Sequence, residues 1–80
     1  MHYVYILQSL IDVKQTYIGS TADLKKRIES HNSGANKYTG KFKPWKIVWY
    51  YSFLSEKKAV FFEKYLKTSS GIAFRRKRLL

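Results

Sequence analysis

Apolar residues along the chain fall into three strand-like runs and three helical ones, separated by polar breaks. Residues 3–8 alternate, with Val4 and Ile6 on one side and Tyr3, Tyr5 and Leu7 on the other. Both sides are apolar or aromatic, so this strand is expected at the centre of a sheet, covered on both faces. Residues 9–14 read as a hairpin loop and 15–19 as the returning strand. Ser20 or Thr21 is expected to cap a helix whose first turn suits Asp23. Leu24, Ile28 and His31 follow at helical spacing, and the helix is expected to end near Asn32, broken by Ser33-Gly34. Residues 33–44 read as a polar, basic loop closed by Pro44. The stretch from Ile47 to Phe53 is rich in β-branched and aromatic residues and predicts a third strand. Ser55 then caps a helix running to about Lys67, with Ala59, Phe62 and Leu66 on its inward stripe. A Thr-Ser-Ser-Gly break precedes a terminal helix over roughly 72–79 that carries Arg75, Arg76, Lys77 and Arg78, and cations suit a helix C-terminus. The order ββαβαα describes an α+β domain with a small antiparallel sheet covered by helices.

Composition narrows this picture. Eighty residues make one domain, 1–80, and a chain of this size buries only about 60% of its extended surface. It has the material for a core, being 45% hydrophobic and 18% aromatic. With no cysteine there is neither a disulfide framework nor a thiolate metal site. The apolar run Tyr3 to Leu7 is too short for a signal peptide and lacks a basic lead. No stretch approaches the ~20 apolar residues that span a bilayer, so a soluble, cytoplasmic protein that makes no membrane contact is expected. Sixteen Lys/Arg against five Asp/Glu leave a net charge of +11, a field that attracts polyanions and favours nucleic acid as partner.

A few residues stand out against this background. Tyr5 and Tyr17 fall on corresponding faces of the two hairpin strands in ordinary register, and the second strand ends in Gly19, where a backbone or a phosphate can approach closely. Tyrosines there serve equally as packing, and a phenol with a pKa near 10 needs a cation or metal before it acts as a base. Arg27 follows Leu24 by three and so flanks the buried face of the first helix. Its planar fork suits a phosphate, and it suits a bridge to Glu63 just as well. Glu63 lies on or beside the inward stripe of the second long helix. An ion pair is its ordinary explanation, a hard cation its alternative, since Mg²⁺ is often held by one or two carboxylates and several waters. Asp12, Asp23, Glu29 and Glu56 are scattered, which argues against a two-metal site built on clustered carboxylates. His31 shares the face of Leu24 and Ile28, where a histidine is commonly a packed, hydrogen-bonded residue.

Taken in order, Tyr3-Val4-Tyr5, Tyr17-Ile18-Gly19, Arg27, His31-Asn32-Ser33-Gly34, Lys37-Tyr38-Thr39, Pro44-Trp45 and Glu63-Lys64 resemble the GIY-YIG nuclease superfamily. The likeness is to its small, single-domain bacterial members, which are similar to the N-terminal nuclease domain of excinucleases. It covers nearly the whole chain, each motif being weak and their ordered combination specific. The resemblance implies a three-stranded antiparallel sheet flanked by helices, and hydrolysis of DNA phosphodiesters with one divalent ion, Mg²⁺ or Mn²⁺. It implies that Glu63 holds the metal, that Arg27 stabilises the charge developing on phosphate, that Tyr5 and Tyr17 orient or deprotonate the attacking water, and that His31 assists proton transfer. Lys26, Lys37, Lys41, Lys43 and Lys64 are the candidate contacts to the nucleic-acid backbone. Tyr3 replaces the glycine that opens the family's first motif, and no asparagine follows Glu63. With no separate DNA-binding domain in the chain, little sequence readout is expected, with a protein partner as a source of specificity. The competing readings are a catalytically weak nucleic-acid-binding module and an interaction domain that needs a partner.

Overall fold

A computed structural model of the chain describes residues 1–35 and 37–74. Strand β1 (His2–Ser9) pairs antiparallel with both β2 (Thr16–Thr21) and β3 (Trp45–Phe53), giving the sheet order β2-β1-β3. Helix α1 (Leu24–Ser33) follows β2, a one-turn helix α2 (Lys37–Gly40) precedes β3, and α3 (Glu56–Leu66) and α4 (Ser69–Phe74) follow it. The long elements keep the order expected from the sequence, and β1 is central.

The alternation of β1 divides the core in two. Val4 and Ile6 join Ile18, Ala59 and Leu66 under α3, with Val48, Trp49, Phe53, Phe62 and Phe74 packed around them. Tyr5 and Leu7 join Trp45 on the other face, with Tyr17, Leu24, Ile28, Phe42 and Ile47. The pairing of β1 with β3 slips between Ile6 and Leu7, so that Ile6 faces Trp49 while Leu7 faces Ile47. This bulge shifts the alternation by one residue. It turns Ile47 and Trp45 onto the Tyr5 face, where straight pairing would have put Val48 and Lys46.

Several boundaries differ from the sequence expectation. The cap of α1 is Asp23, whose carboxylate accepts from the Lys26 amide at 3.1 Å. Thr21 is still paired with Tyr3 in the sheet, and its hydroxyl instead closes a turn with Asp23. The segment 33–44 is not all loop: α1 runs to Ser33, ends on Gly34 at φ 82°, and α2 follows. Strand β3 begins at Trp45, two residues before Ile47. The break after α3 falls at residues 67–68, and Ser69, Ser70 and Gly71 are helical. The remainder of the expected terminal helix, with Arg75, Arg76, Lys77 and Arg78, lies outside the described residues. Ser55 caps α3 as expected.

Candidate active site

The β1–β2 register sets the tyrosines diagonally. Tyr5 faces Gly19 and Tyr17 faces Leu7, which leaves both phenol rings on the α1 side with centroids 6.4 Å apart. A Cβ on Gly19 would stand 2.5 Å from the Tyr5 hydroxyl and 3.1 Å from the Tyr17 ring. Glycine is therefore required here by the close approach of the phenol.

Helix α1 lays Arg27 and His31, one turn apart, over that hydroxyl. Arg27 Nε donates to Tyr5 Oη at 3.3 Å, and Tyr5 Oη lies 3.0 Å from His31 Nε2. His31 Nδ1 lies 2.9 Å from Thr39 Oγ1. With His31 in the Nδ1–H tautomer, Tyr5 accepts from Arg27 and donates to His31 Nε2, and His31 Nδ1–H donates to Thr39; the Nε2–H tautomer reverses both imidazole bonds. Tyr5 and His31 are each 1% exposed. Burial, and then the nearby Arg27 charge, lower the His31 pKa, which keeps the ring neutral as either tautomer needs. Burial pushes the Tyr5 phenol above its ordinary value, opposed by the hydrogen bond and charge of Arg27. Arg27 in turn is raised, first by its bond to Tyr5 and also by a bond to Tyr17. Tyr17 is half-buried, its ring centroid 4.8 Å from that of His31 and the two planes tilted. It opens into a cleft of about 290 Å³ bordered by Thr16, Ile18, Tyr38 and Lys67.

Thr39 and Trp45 hold His31 from behind. The Asn32 side chain bonds both backbone groups of Trp45, accepting from its N–H at 2.6 Å and donating to its carbonyl at 3.2 Å. Trp45 Nε1 donates to the Thr39 carbonyl at 2.7 Å. Ser9, fully buried, donates to the Phe42 carbonyl at 2.6 Å. These bonds fix α2 against α1. The sequence signal for them is slight: a Thr inside a basic stretch and an Asn at a helix end.

Glu63 approaches from the opposite sheet face. It lies on α3, 18% exposed, and pairs with Lys67 at 2.8 Å. Burial pushes its carboxyl up, but hydrogen bonds from Lys67 and Ser20 outweigh burial and hold it below the ordinary glutamate range. The bridge between Arg27 and Glu63 weighed from the sequence is absent among the described residues; Arg27 bonds the tyrosines instead. The structure thus gathers Tyr5, Tyr17, Arg27 and His31 into one hydrogen-bonded cluster. Glu63 stands outside that cluster, bonded to Ser20 of β2 and to Lys67, and Lys67 borders the Tyr17 cleft. Lys26, Lys37, Lys41, Lys43 and Lys64 are exposed.

Among the described residues no three His, Cys, Asp or Glu side chains gather to hold a metal. The donor available is one ionised carboxylate, with the Ser20 hydroxyl bonded to it. That set fits a hard cation completed by water and substrate oxygens, and fits no thiolate or multi-histidine ion. No helix among the described residues is long and apolar enough to cross a membrane.

The model of the GIY-YIG catalytic domain matches residues 1–76. The UPF0213 protein CPE1444 of Clostridium perfringens (strain 13 / Type A) is 40% identical over 68 residues, covering 84% of this chain and 71% of that protein. The chain belongs to the GIY-YIG family.

Proposed function

We propose that this GIY-YIG domain is a divalent-metal-dependent endonuclease that hydrolyses DNA phosphodiester bonds with little sequence readout of its own. The family is one of nucleases, generally dependent on a divalent metal. The observation that carries the reading for this chain is the Arg27–Tyr5–His31 hydrogen-bonded chain beside the cleft-facing Tyr17.

The buried and the open phenol have different work. Tyr17 borders the cleft and orients the attacking water. Tyr5 is enclosed, and its part is to position Arg27. With its proton directed at His31 Nε2, its lone pair faces Arg27 Nε, which fixes the plane of the guanidinium. The rest of the fork, which also bonds Tyr17, is the group that would bind phosphate and meet its developing charge. His31 Nε2 accepts the hydrogen bond of the Tyr5 phenol and holds it in place, and Thr39 keeps the opposite nitrogen protonated. Glu63 would hold a Mg²⁺ or Mn²⁺ ion, which when bound supplies Lewis-acid stabilisation of the phosphate oxygens. Catalysis by these residues is positioning and electrostatics. The basic surface, including Lys26, Lys37, Lys41, Lys43 and Lys64, attracts the backbone without reading bases. Residues 1–80 act as one domain, and a protein partner supplies target choice.

The test is plasmid nicking with Mg²⁺ or Mn²⁺, against chelator and against Glu63→Gln and Arg27→Lys. Nicking should require metal, and each substitution should slow it by roughly 10²–10³-fold, as loss of one charge-stabilising group does. Nicking that survives both chelator and Glu63→Gln would overturn the reading. Binding without nicking by the parent protein would favour the non-catalytic module.

A further inference from the structure

The two sides of α3 differ sharply. Phe61 lies two positions before Glu63 and therefore about 200° around the helix, away from the Tyr17 cleft. It is 76% exposed. Phe62 beside it contacts the rings of Trp49, Phe53 and Tyr65, whereas Phe61 contacts no ring among the described residues. Its own ring stands between two open clefts. One, of about 530 Å³, is lined by Glu56, Lys57, Val60 and Lys64 with Phe61. The other, of about 500 Å³, is lined by Phe53, Lys57, Lys58 and Phe62 with Phe61. Both are larger than the cleft beside Tyr17. Lys57, Lys58 and Lys64 make no ion pair among the described residues. Among the described residues, no packing contact requires a phenyl ring there.

We propose that this face of α3 is a binding platform for single-stranded nucleic acid. Unpaired bases stack on the two sides of Phe61, and the adjoining phosphates meet Lys57, Lys58 and Lys64. The inference rests on the nuclease reading for its choice of nucleic acid, and deepens it by naming the strand form. Charge and shape select this occupant. A second copy would set lysines against lysines in a chain of net charge +11. A duplex keeps its base faces inside the stack, so it offers this ring nothing to cover. An acidic peptide answers the lysines, but brings no planar group to both sides of an isolated ring. Lys64 follows Phe61 by three residues and Glu63 by one, so it lies between platform and cleft on the helix surface. A strand held at Phe61 passes Lys64 on its way around a helix about 10–12 Å across.

The test is binding of a fluorescein-labelled oligothymidylate and of a mixed-sequence duplex of equal length, by anisotropy, with chelator present so that no cleavage occurs. Phe61→Ser should weaken single-strand binding by roughly 5- to 150-fold, the worth of one or more stacked bases. Duplex binding should stay within about twofold, since phosphate contacts remain. Phe61→Tyr should restore single-strand binding. The salt dependence of single-strand binding should keep its slope in Phe61→Ser, because stacking releases no counterions. Equal losses on both substrates, an unchanged single-strand affinity, or a dimer dispersed to monomer by Phe61→Ser would each overturn the proposal. So would Phe61-dependent capture of an acidic amphipathic peptide without Phe61-dependent oligonucleotide binding. Because binding is read without turnover, an inactive protein with the expected Phe61 dependence would sink the nuclease reading and leave the platform standing.

Discussion

The two faces of this small sheet are held in different ways. Under α3, Val4, Ile6, Ile18, Ala59 and Leu66 make a core with no buried polar side chain among them. Over α1 and α2 the apolar residues Tyr5, Leu7 and Trp45 share the interior with Ser9, His31 and Thr39, all buried and all hydrogen-bonded. Apolar contact has no direction and scales with the area removed from water. A buried polar group, by contrast, must meet a partner at a set angle or lose the cost of its desolvation. One face therefore supplies stability that tolerates exchange of shapes. The other supplies a single arrangement of donors and acceptors, and it carries Tyr5, Tyr17, Arg27 and His31, while Glu63 stands on the α3 side.

Three changes press on that difference. Leu66→Ala should have the largest effect on folding, about 2–5 kcal/mol from lost transfer energy and a cavity. Measured by urea unfolding, this loss should leave nicking per folded molecule unchanged; a matching loss of activity would mean the faces are not separable. Gly19→Ala comes next. Its new methyl meets a phenol that is walled in by Arg27 and His31 and cannot swing away, so roughly 1–3 kcal/mol is expected. Here activity should fall together with stability, because the obstructed group is Tyr5. A neutral Gly19→Ala in both assays would contradict the close packing of that strand pair. The smallest effect is a matter of pH. His31 has a lowered pKa in the fold, against an ordinary 6.5 when unfolded. The unfolded chain thus binds its proton first as pH falls. The stability of the neutral, bonded histidine is complete above about pH 6.5 and is lost as pH drops through the lower folded value. Unfolding midpoints of the parent protein should decline over that window, and those of His31→Gln should decline less. The Glu63 carboxyl acts in the same direction at more acid pH, so parallel curves for parent and variant above about pH 5 would remove His31 from the account.

How much of this was legible in the residues follows the same division. The alternation of Val4 and Ile6 against Tyr5 and Leu7, and the stripe Ala59, Phe62, Leu66, are periodic patterns, and they forecast both faces of β1 and the inward side of α3. Ser55 and Gly34 signalled a helix start and a helix end through their own backbone chemistry. What escaped is non-local. The cap at Asp23 prevails because Thr21 is engaged in the sheet by Tyr3. The turn of α2 is too short to form by propensity and is held by bonds from residues outside it. In the candidate site, strand register put Tyr5 and Tyr17 on one face and helical spacing put Arg27 beside the face of His31, but that the four belong together was implied by the family resemblance. The roles of Thr39, Asn32 and Lys67 could not, since each depends on a partner or a neighbouring surface known only once the chain is folded. The burial of Tyr5 beside the openness of Tyr17 was likewise invisible, the two being equivalent tyrosines in equivalent strands.

The bulge in β3 carries a meaning for how this strand can change over a lineage. On the tyrosine face the register runs Trp45, Ile47, then Tyr50, two steps and then three, and Val48 is the extra step. The strand thus keeps one link of slack. A descendant that lost that link would still present Trp45 and Ile47 inward on a regular ladder, giving up the packing of Val48 against the α3-side core. A loss between Trp45 and Ile47 would throw the indole out of phase with Thr39. Length, and not only identity, is therefore under constraint in β3, and the bulge marks where that constraint relaxes.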